Sequence, residues 1–241
     1  MNLNIPYMET DNKLLNDAYR IAAGDIVGNI VYYQNGLLTE EKPCMIAGLD
    51  YNTPWTRDTA INIWNALSIL SPEVSKNTLL AVLEEEEGNI YIGGQYWDSI
   101  IWMIGAREYC RFHKDDNFYR LAFKAGGNSV HRLEEDEFDE EDGLFRGPAV
   151  YGDGIAAYPD KYSKCPNQGS GILEWVDYPG NPVYPKGYGI PMKALSTNCV
   201  YFKAYEILAE MAHALGEPAK EFEEKAAAMK KSINKNFWNE K

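Results

Sequence analysis

The sequence predicts an all-α protein built of helical hairpins, on three observations. Apolar residues recur at the helical period through most of the 241 residues, while the alternation of a half-buried strand is scarce. Helices that are apolar nearly all round alternate along the chain with helices that carry one apolar stripe. Proline and glycine stand where helices should start and stop.

The elements follow in order. The first helix is read over residues 11–33 and the second over 58–70. Pro72 opens a third, over 72–87, since proline suits a first helical turn. A fourth covers 97–112, a fifth 116–133, and a sixth 197–215, which Gly216 closes. The seventh runs from about Glu217 and Pro218 to Phe237. The second (Ile61, Ile63, Trp64, Leu67, Ile69), the fourth (Ile100, Ile101, Trp102, Met103) and the sixth (Tyr201, Phe202, Tyr205, Leu208) are apolar on most sides, so burial on most sides is expected. The third and seventh carry single stripes, through Val74, Leu79 and Val82 and through Phe222, Ala226, Met229 and Ile233. Such an alternation is met by two concentric rings of helices, with the buried ones inside. All inner helices then point one way, and the loops before them gather at one end. A bundle or solenoid competes, but no fixed-period repeat is present.

One domain over 1–241 is expected, since the length and the 45% hydrophobic content suit a single well-buried core. The net charge of -13 repels phosphate backbones and anionic lipid heads, which argues against nucleic acid and membrane surfaces as partners. No apolar run is long enough to span a bilayer, and residues 1–11 have no basic region followed by an apolar stretch, so no signal peptide is read there. Cys44, Cys110, Cys165 and Cys199 form no CxxC pair, which disfavours zinc and fits reduced thiols in a cytoplasmic protein. No metal and no cofactor is expected. His113, His131 and His213 stand in no nucleophile motif. The acidic run 134–142 fails as a calcium loop: with Gly143 at the sixth position, Phe138 falls on the first ligand and Ala149 on the twelfth. It reads as a solvated face.

Three loops precede the buried helices, over 44–57, 88–96 and 139–196. The third is too long for a plain connector. All three are rich in aromatic residues, which suits sugar stacking or a packed loop layer. In the first, Trp55, Arg57 and Asp58 stand where a buried helix begins. Asp58 can cap that helix with Arg57 beside it, or guanidinium and carboxylate can hold vicinal hydroxyls under a stacking Trp55. In the second, Gly93 and Gly94 allow a tight turn or a close ligand, and Gln95, Trp97 and Asp98 open the next buried helix. In the third, Tyr151 precedes Asp153, which lies between two glycines. Asp153 is either a turn residue or a carboxylic acid held over a cleft for proton donation. Glu174, beside Trp175, is the backup acid, and Asn198 is a further candidate contact.

Taken in order, Trp55-Thr-Arg-Asp58, the segment from Gly143-Leu-Phe-Arg-Gly through Asp153 to Tyr158-Pro159, and Thr197-Asn198 leading to Asn236-Phe-Trp238 resemble the six-hairpin glycosidases. This is the (α/α)6-barrel superfamily, with the glucosidase, trehalase and glucoamylase groups nearest. The resemblance spans nearly the whole chain. It implies a glycoside hydrolase that inverts configuration, with Asp153 as general acid and Trp55, Arg57, Asp58, Gln95, Trp97, Asp98, Tyr151 and Asn198 around the sugar. Gly-Ile-Ala-Ala stands between Asp153 and Tyr158 where relatives often carry Trp, Arg and Glu. The family barrel has twelve helices and this chain supplies about seven, so the resemblance implies an N-terminal portion whose general base lies in later hairpins. The expected partners are a carbohydrate and either the missing C-terminal half or a second copy of the chain. A non-catalytic carbohydrate-binding helical protein and a helical-repeat interaction protein are the alternatives.

Overall fold

The computed structural model of the chain describes residues 5–94, 98–147 and 193–239. Among them the fold is mainly helical, as the periodicity predicts. Three antiparallel two-stranded hairpins interrupt the helices, and each precedes a helix read as apolar all round. Two compact units result, Met1–Gly94 with Ile101–Ala125, and Gln95–Ile100 with Gly126–Lys241. No described helix is long and apolar enough to cross a membrane.

In the first unit, α1 (Lys13–Gly28) starts at Asn12, whose side chain accepts from the Leu15 N–H. It stops five residues short of the predicted Tyr33, because Gly28 and Asn29 break it and Asn29 turns its amide onto the Asp25 carbonyl. The β-branched and aromatic run that follows makes β1 (Ile30–Tyr33), paired with β2 (Lys42–Met45) so that Val31 faces Cys44. This hairpin lies on α4 (Pro72–Ala81). The Met45 N–H donates to Thr78 Oγ1 at 3.0 Å, Asn77 donates to the Pro43 carbonyl at 3.2 Å, and Asn35 donates to the Ala81 carbonyl at 3.2 Å. Gly36, at φ 59°, sits so close to the end of α4 that a Cβ would meet three carbonyl oxygens within 2.8 Å.

The second predicted helix is three pieces: α2 (Thr56–Asn62), a wide π-helical turn (Ile63–Leu67) and α3 (Ser68–Leu70). Ile63 and Leu67 are buried, but Trp64 is 50% and Ile69 59% exposed, so burial on most sides does not hold for this helix. The π-turn changes the angular spacing of the side chains, which leaves the two large apolar groups off the buried side. Gly105, on α5 (Asp98–Phe112), packs against α2 backbone to backbone, and a Cβ there would stand 2.8 Å from Ala60 Cα. Trp102, Met103 and Ala106 are fully buried, as predicted for this helix, and Trp102 Nε1 donates to the Leu79 carbonyl.

The third predicted helix also ends early, at Ala81 rather than at Glu87. Four consecutive glutamates read as helix, but β3 (Leu83–Glu86) pairs with β4 (Asn89–Ile92) across a two-residue turn. Both turn residues have positive φ, Glu87 at 50° and Gly88 at 78°, which is the turn that suits the twist of paired strands. The strand pairing therefore wins over local helix propensity.

The helix α6 (Asp116–Glu137), whose residues 126–137 belong to the second unit, runs four residues beyond its predicted end. Then come β5 (Phe138–Asp139), β6 (Leu144–Phe145), α7 (Leu195–Leu215) and α8 (Lys220–Phe237). Gly216, in the left-handed region at φ 72°, closes α7 as predicted, and its N–H reaches the His213 carbonyl. The acidic run is not simply a solvated face. Glu134 bonds Tyr205 and Lys225, Glu137 is buried, and Asp139 and Asp142 both hold Lys193. The Phe145 ring stacks on Tyr201 and meets Phe138 edge-on at 5.1 Å, so the β5–β6 hairpin is the hydrophobic lid of α7.

Glu87 carries a side chain in a conformation that favours asparagine and glycine. Glu87→Asn should therefore stabilise the protein by about 0.5–1 kcal/mol, read as a raised midpoint of urea unfolding with an unchanged m-value. A lowered midpoint would show that the Glu87 side chain has a structural role.

Candidate functional site

Trp55 is the N-cap residue of α2, and Arg57 and Asp58 occupy the first turn, so Asp58 stands inside the helix rather than at its cap. All three are half-buried. A carboxylate in a first turn is favoured by the helix dipole. Trp55 meets Tyr51 edge-on, with ring centroids 6.0 Å apart, and Tyr51 is half exposed. Between Trp55 and Arg57, the buried Thr56 hydroxyl donates to the Gly93 carbonyl at 2.9 Å. The first and second motif loops are thereby tied together inside the first unit. Gly93 is fixed from the other side by the β3–β4 hairpin. Its N–H donates to the Val82 carbonyl at 2.9 Å, and a Cβ would stand 2.5 Å from Glu84 Oε1. Gly94 follows at φ 108°, a conformation that glycine tolerates.

Asp98 is the first residue of α5 and only 2% exposed. Gln95, Trp97, Tyr151, Asp153 and Glu174 lie outside the described residues. Asn198 is fully buried in the first turn of α7. Its Oδ1 accepts from the Phe145 N–H at 2.8 Å, and its Nδ2 donates to the carbonyls of Phe145 at 3.1 Å and Ala194 at 3.0 Å. Every strong hydrogen-bonding position of that amide except one lone pair is spent on backbone. Asn198 therefore serves the fold rather than a ligand.

The same place holds an ion-pair cluster that sequence reasoning missed. Lys193 donates to Asp139 at 2.7 Å and Asp142 at 2.5 Å, and Arg146 meets Asp139 at 2.9 Å. The Lys193 bond holds the Asp139 carboxyl below its usual range, against the upward pull of burial. Burial pulls the Lys193 ammonium down, but its bonds to Asp139 and Asp142 outweigh that and raise it. Residues 139–147 and 193–198, which flank the segment 148–192, are thus stapled to each other by charge and by the Asn198 amide. A lysine and two aspartates so distant in sequence leave no local signal.

A further polar group lies on α6, α7 and α8. His131, Glu134 and Glu221 offer ligand atoms all within 4.8 Å of one another, which is the spacing of a metal site. The Lys225 ammonium stands between the two carboxylates, 2.8 Å from Glu134 and 2.6 Å from Glu221, and supplies the cation that such a group needs. Tyr205 donates to the other Glu134 oxygen at 2.6 Å, and burial pushes its phenol well above the ordinary range.

Comparison with family models, with curated proteins and with solved structures finds no match to this chain. The lysine staple gives a direct test of the arrangement. Asp139, with its lowered pKa, adds stability that is present above its unfolded value of about 3.9 and fades as pH falls through the folded one. Lys193, with its raised pKa, adds stability that is lost as pH rises through its folded value. Lys193→Met should therefore cost about 1–2 kcal/mol between about pH 5 and pH 9, and the difference from wild type should shrink at both extremes. Denaturant unfolding across pH measures it; a pH-independent difference would assign the loss to packing alone.

Proposed function

We propose that the chain is the N-terminal portion of an inverting glycoside hydrolase with a six-hairpin, (α/α)6-type architecture. The observation that carries the proposal is the Thr56–Gly93 hydrogen bond. It brings the Trp55–Asp58 turn against the glycine pair that leads to Gln95, Trp97 and Asp98. That neighbourhood supplies an aromatic face, a guanidinium and a carboxylate, which together suit stacking on a sugar and bonding to its vicinal hydroxyls. The pairing of α7 with α8 across the short turn that Gly216 opens supports the helical-hairpin part of the reading.

In the proposed reaction, Asp153 donates a proton to the glycosidic oxygen as that bond breaks. A general base activates water on the opposite face of the sugar, the two carboxyl groups standing roughly 6.5–9.5 Å apart. The base comes from outside this chain. Glu174 is the alternative proton donor, and Tyr151 shapes the donor's pocket. Trp55, Arg57, Asp58, Gln95, Trp97 and Asp98 hold the sugar. Asn198 fixes Phe145 and does not touch the sugar.

The reading also implies a covering partner, and the exposed apolar side chains support one. Trp64 and Ile69 on the π-turn and α3, and Leu14 and Ile21 on α1, are each at least half exposed. Large apolar groups left exposed in this way support surfaces that another part of the protein covers. Further hairpins of the enzyme or a second copy would do so.

Two experiments test these statements. Titration of the chain with a panel of disaccharides, followed by tryptophan fluorescence, should show saturable binding to at least one without release of monosaccharide. Trp55→Ala and Arg57→Ala should each weaken that binding about tenfold or more. Absence of binding to every sugar would move the interaction-protein reading ahead, and turnover by this chain that Asp153→Asn abolishes would overturn the missing base. In sedimentation, the chain should self-associate at high concentration, and Trp64→Glu with Ile69→Glu should return it to monomer. Unchanged association in the double variant would show that this surface is not the one covered.

A further inference from the structure

The second unit holds a cavity of about 370 Å³ between the end of α6, the β5–β6 turn, α7 and α8. That is within the size range of small-molecule sites. Its walls are apolar, with Phe138 from the hairpin and Ala228 and Met229 from α8. Its charge is one-sided, because Glu134, Glu135 and Glu140 line it against the single ammonium of Lys225. Glu134 and Lys225 are already bonded to each other at 2.8 Å, and Tyr205 donates to the remaining Glu134 oxygen. The polar end is therefore self-satisfied and rigid. Glu135 and Glu140 form no ion pair among the described residues, and both are exposed. They leave two carboxylate charges beside an aromatic ring and an apolar wall.

The hairpin side of the cavity is firmly placed. Gly143, at φ 69°, lies against α8, where a Cβ would meet the Ser232 hydroxyl at 2.5 Å. Asn236 donates to the Asp142 carbonyl. Phe138 is held edge-on by Phe145. A metal ion is a poor occupant, because Lys225 already neutralises the ligands it would need. An anion would meet the charges of Glu135 and Glu140. A neutral apolar molecule would leave the charge unanswered.

We infer that this cavity binds a small organic cation with an apolar body, of the quaternary ammonium or alkylamine class. The positive head is met by the charges of Glu135 and Glu140 and by the Phe138 ring, and the body lies on Ala228 and Met229. Aromatic rings and carboxylates together recognise such heads through cation–π and coulombic attraction, and the net charge of -13 raises the local concentration of cations. This inference does not depend on the glycosidase reading, since none of its residues is assigned to the sugar.

Calorimetric titration of the full chain at low salt with choline tests it, against 3,3-dimethylbutan-1-ol as the uncharged isostere. Choline should bind at one site, and the isostere at least about tenfold more weakly. Glu135→Gln with Glu140→Gln should weaken choline by a similar factor, and Ala228→Trp, which fills the cavity, should abolish its binding. The glutamine changes are on exposed side chains and keep the test valid if Ala228→Trp fails to fold. Trp55→Ala should leave choline binding unchanged. Equal binding of the isostere, no saturable binding of choline, or wild-type affinity in the double glutamine variant would each overturn the inference. Loss of choline binding in Trp55→Ala would place the ligand elsewhere and overturn it as well.

Discussion

A two-stranded hairpin leaves both outer edges of its backbone unpaired, and a buried unpaired N–H or carbonyl costs roughly as much as a lost hydrogen bond. That constraint organises this protein. Two of its three described hairpins lie against helices, and helical side chains answer their exposed edges. Thr78 and Asn77 on α4 do so for β2, and Asn198 on α7 does so for β6. In the second case a single amide takes the N–H and carbonyl of one residue, as a third strand would. The hairpin thereby gains a partner without a sheet, and Phe145 is held flat on Tyr201.

The same constraint acts at the Trp55–Asp58 turn, where we propose that a sugar is held. The Trp55–Asp58 turn is where α2 begins, so its side chains stand at the helix end that favours negative charge. Thr56 is the buried residue of that turn, and its hydroxyl reaches the neighbouring loop while Trp55 and Arg57 on either side remain half-buried. One residue anchors the turn, with a half-buried side chain on either side of it.

Much of this was legible in the sequence. The burial of Trp102, Met103 and Ala106 follows from periodicity alone, and Gly216 closes α7 where its lack of a side chain allows the left-handed turn. The hairpins were hidden for identifiable reasons. Ile30–Tyr33 continues the apolar content of α1, and only pairing with residues 42–45 makes it a strand. Residues Glu84–Glu86 favour a helix locally, and the hairpin prevails through pairing with residues 89–92 across the Glu87–Gly88 turn. The motif Trp55–Asp58 could be found because its residues are adjacent. The contacts of Asn198 with Phe145, and of Tyr205 and Lys225 with Glu134, join positions far apart, and no residue in either partner's neighbourhood announces the other.

The staple made by Lys193, Asp139, Asp142 and Asn198 bears on how this protein can change over time. Chain ends that are already fixed beside each other pay the closure entropy of whatever lies between them only once. A flexible insertion that doubles the intervening length adds about 0.6 kcal/mol. The stems flanking 148–192 are thus a socket. A longer connection between them therefore adds little closure entropy, whereas a change at Asn198 or Lys193 loosens the stems themselves.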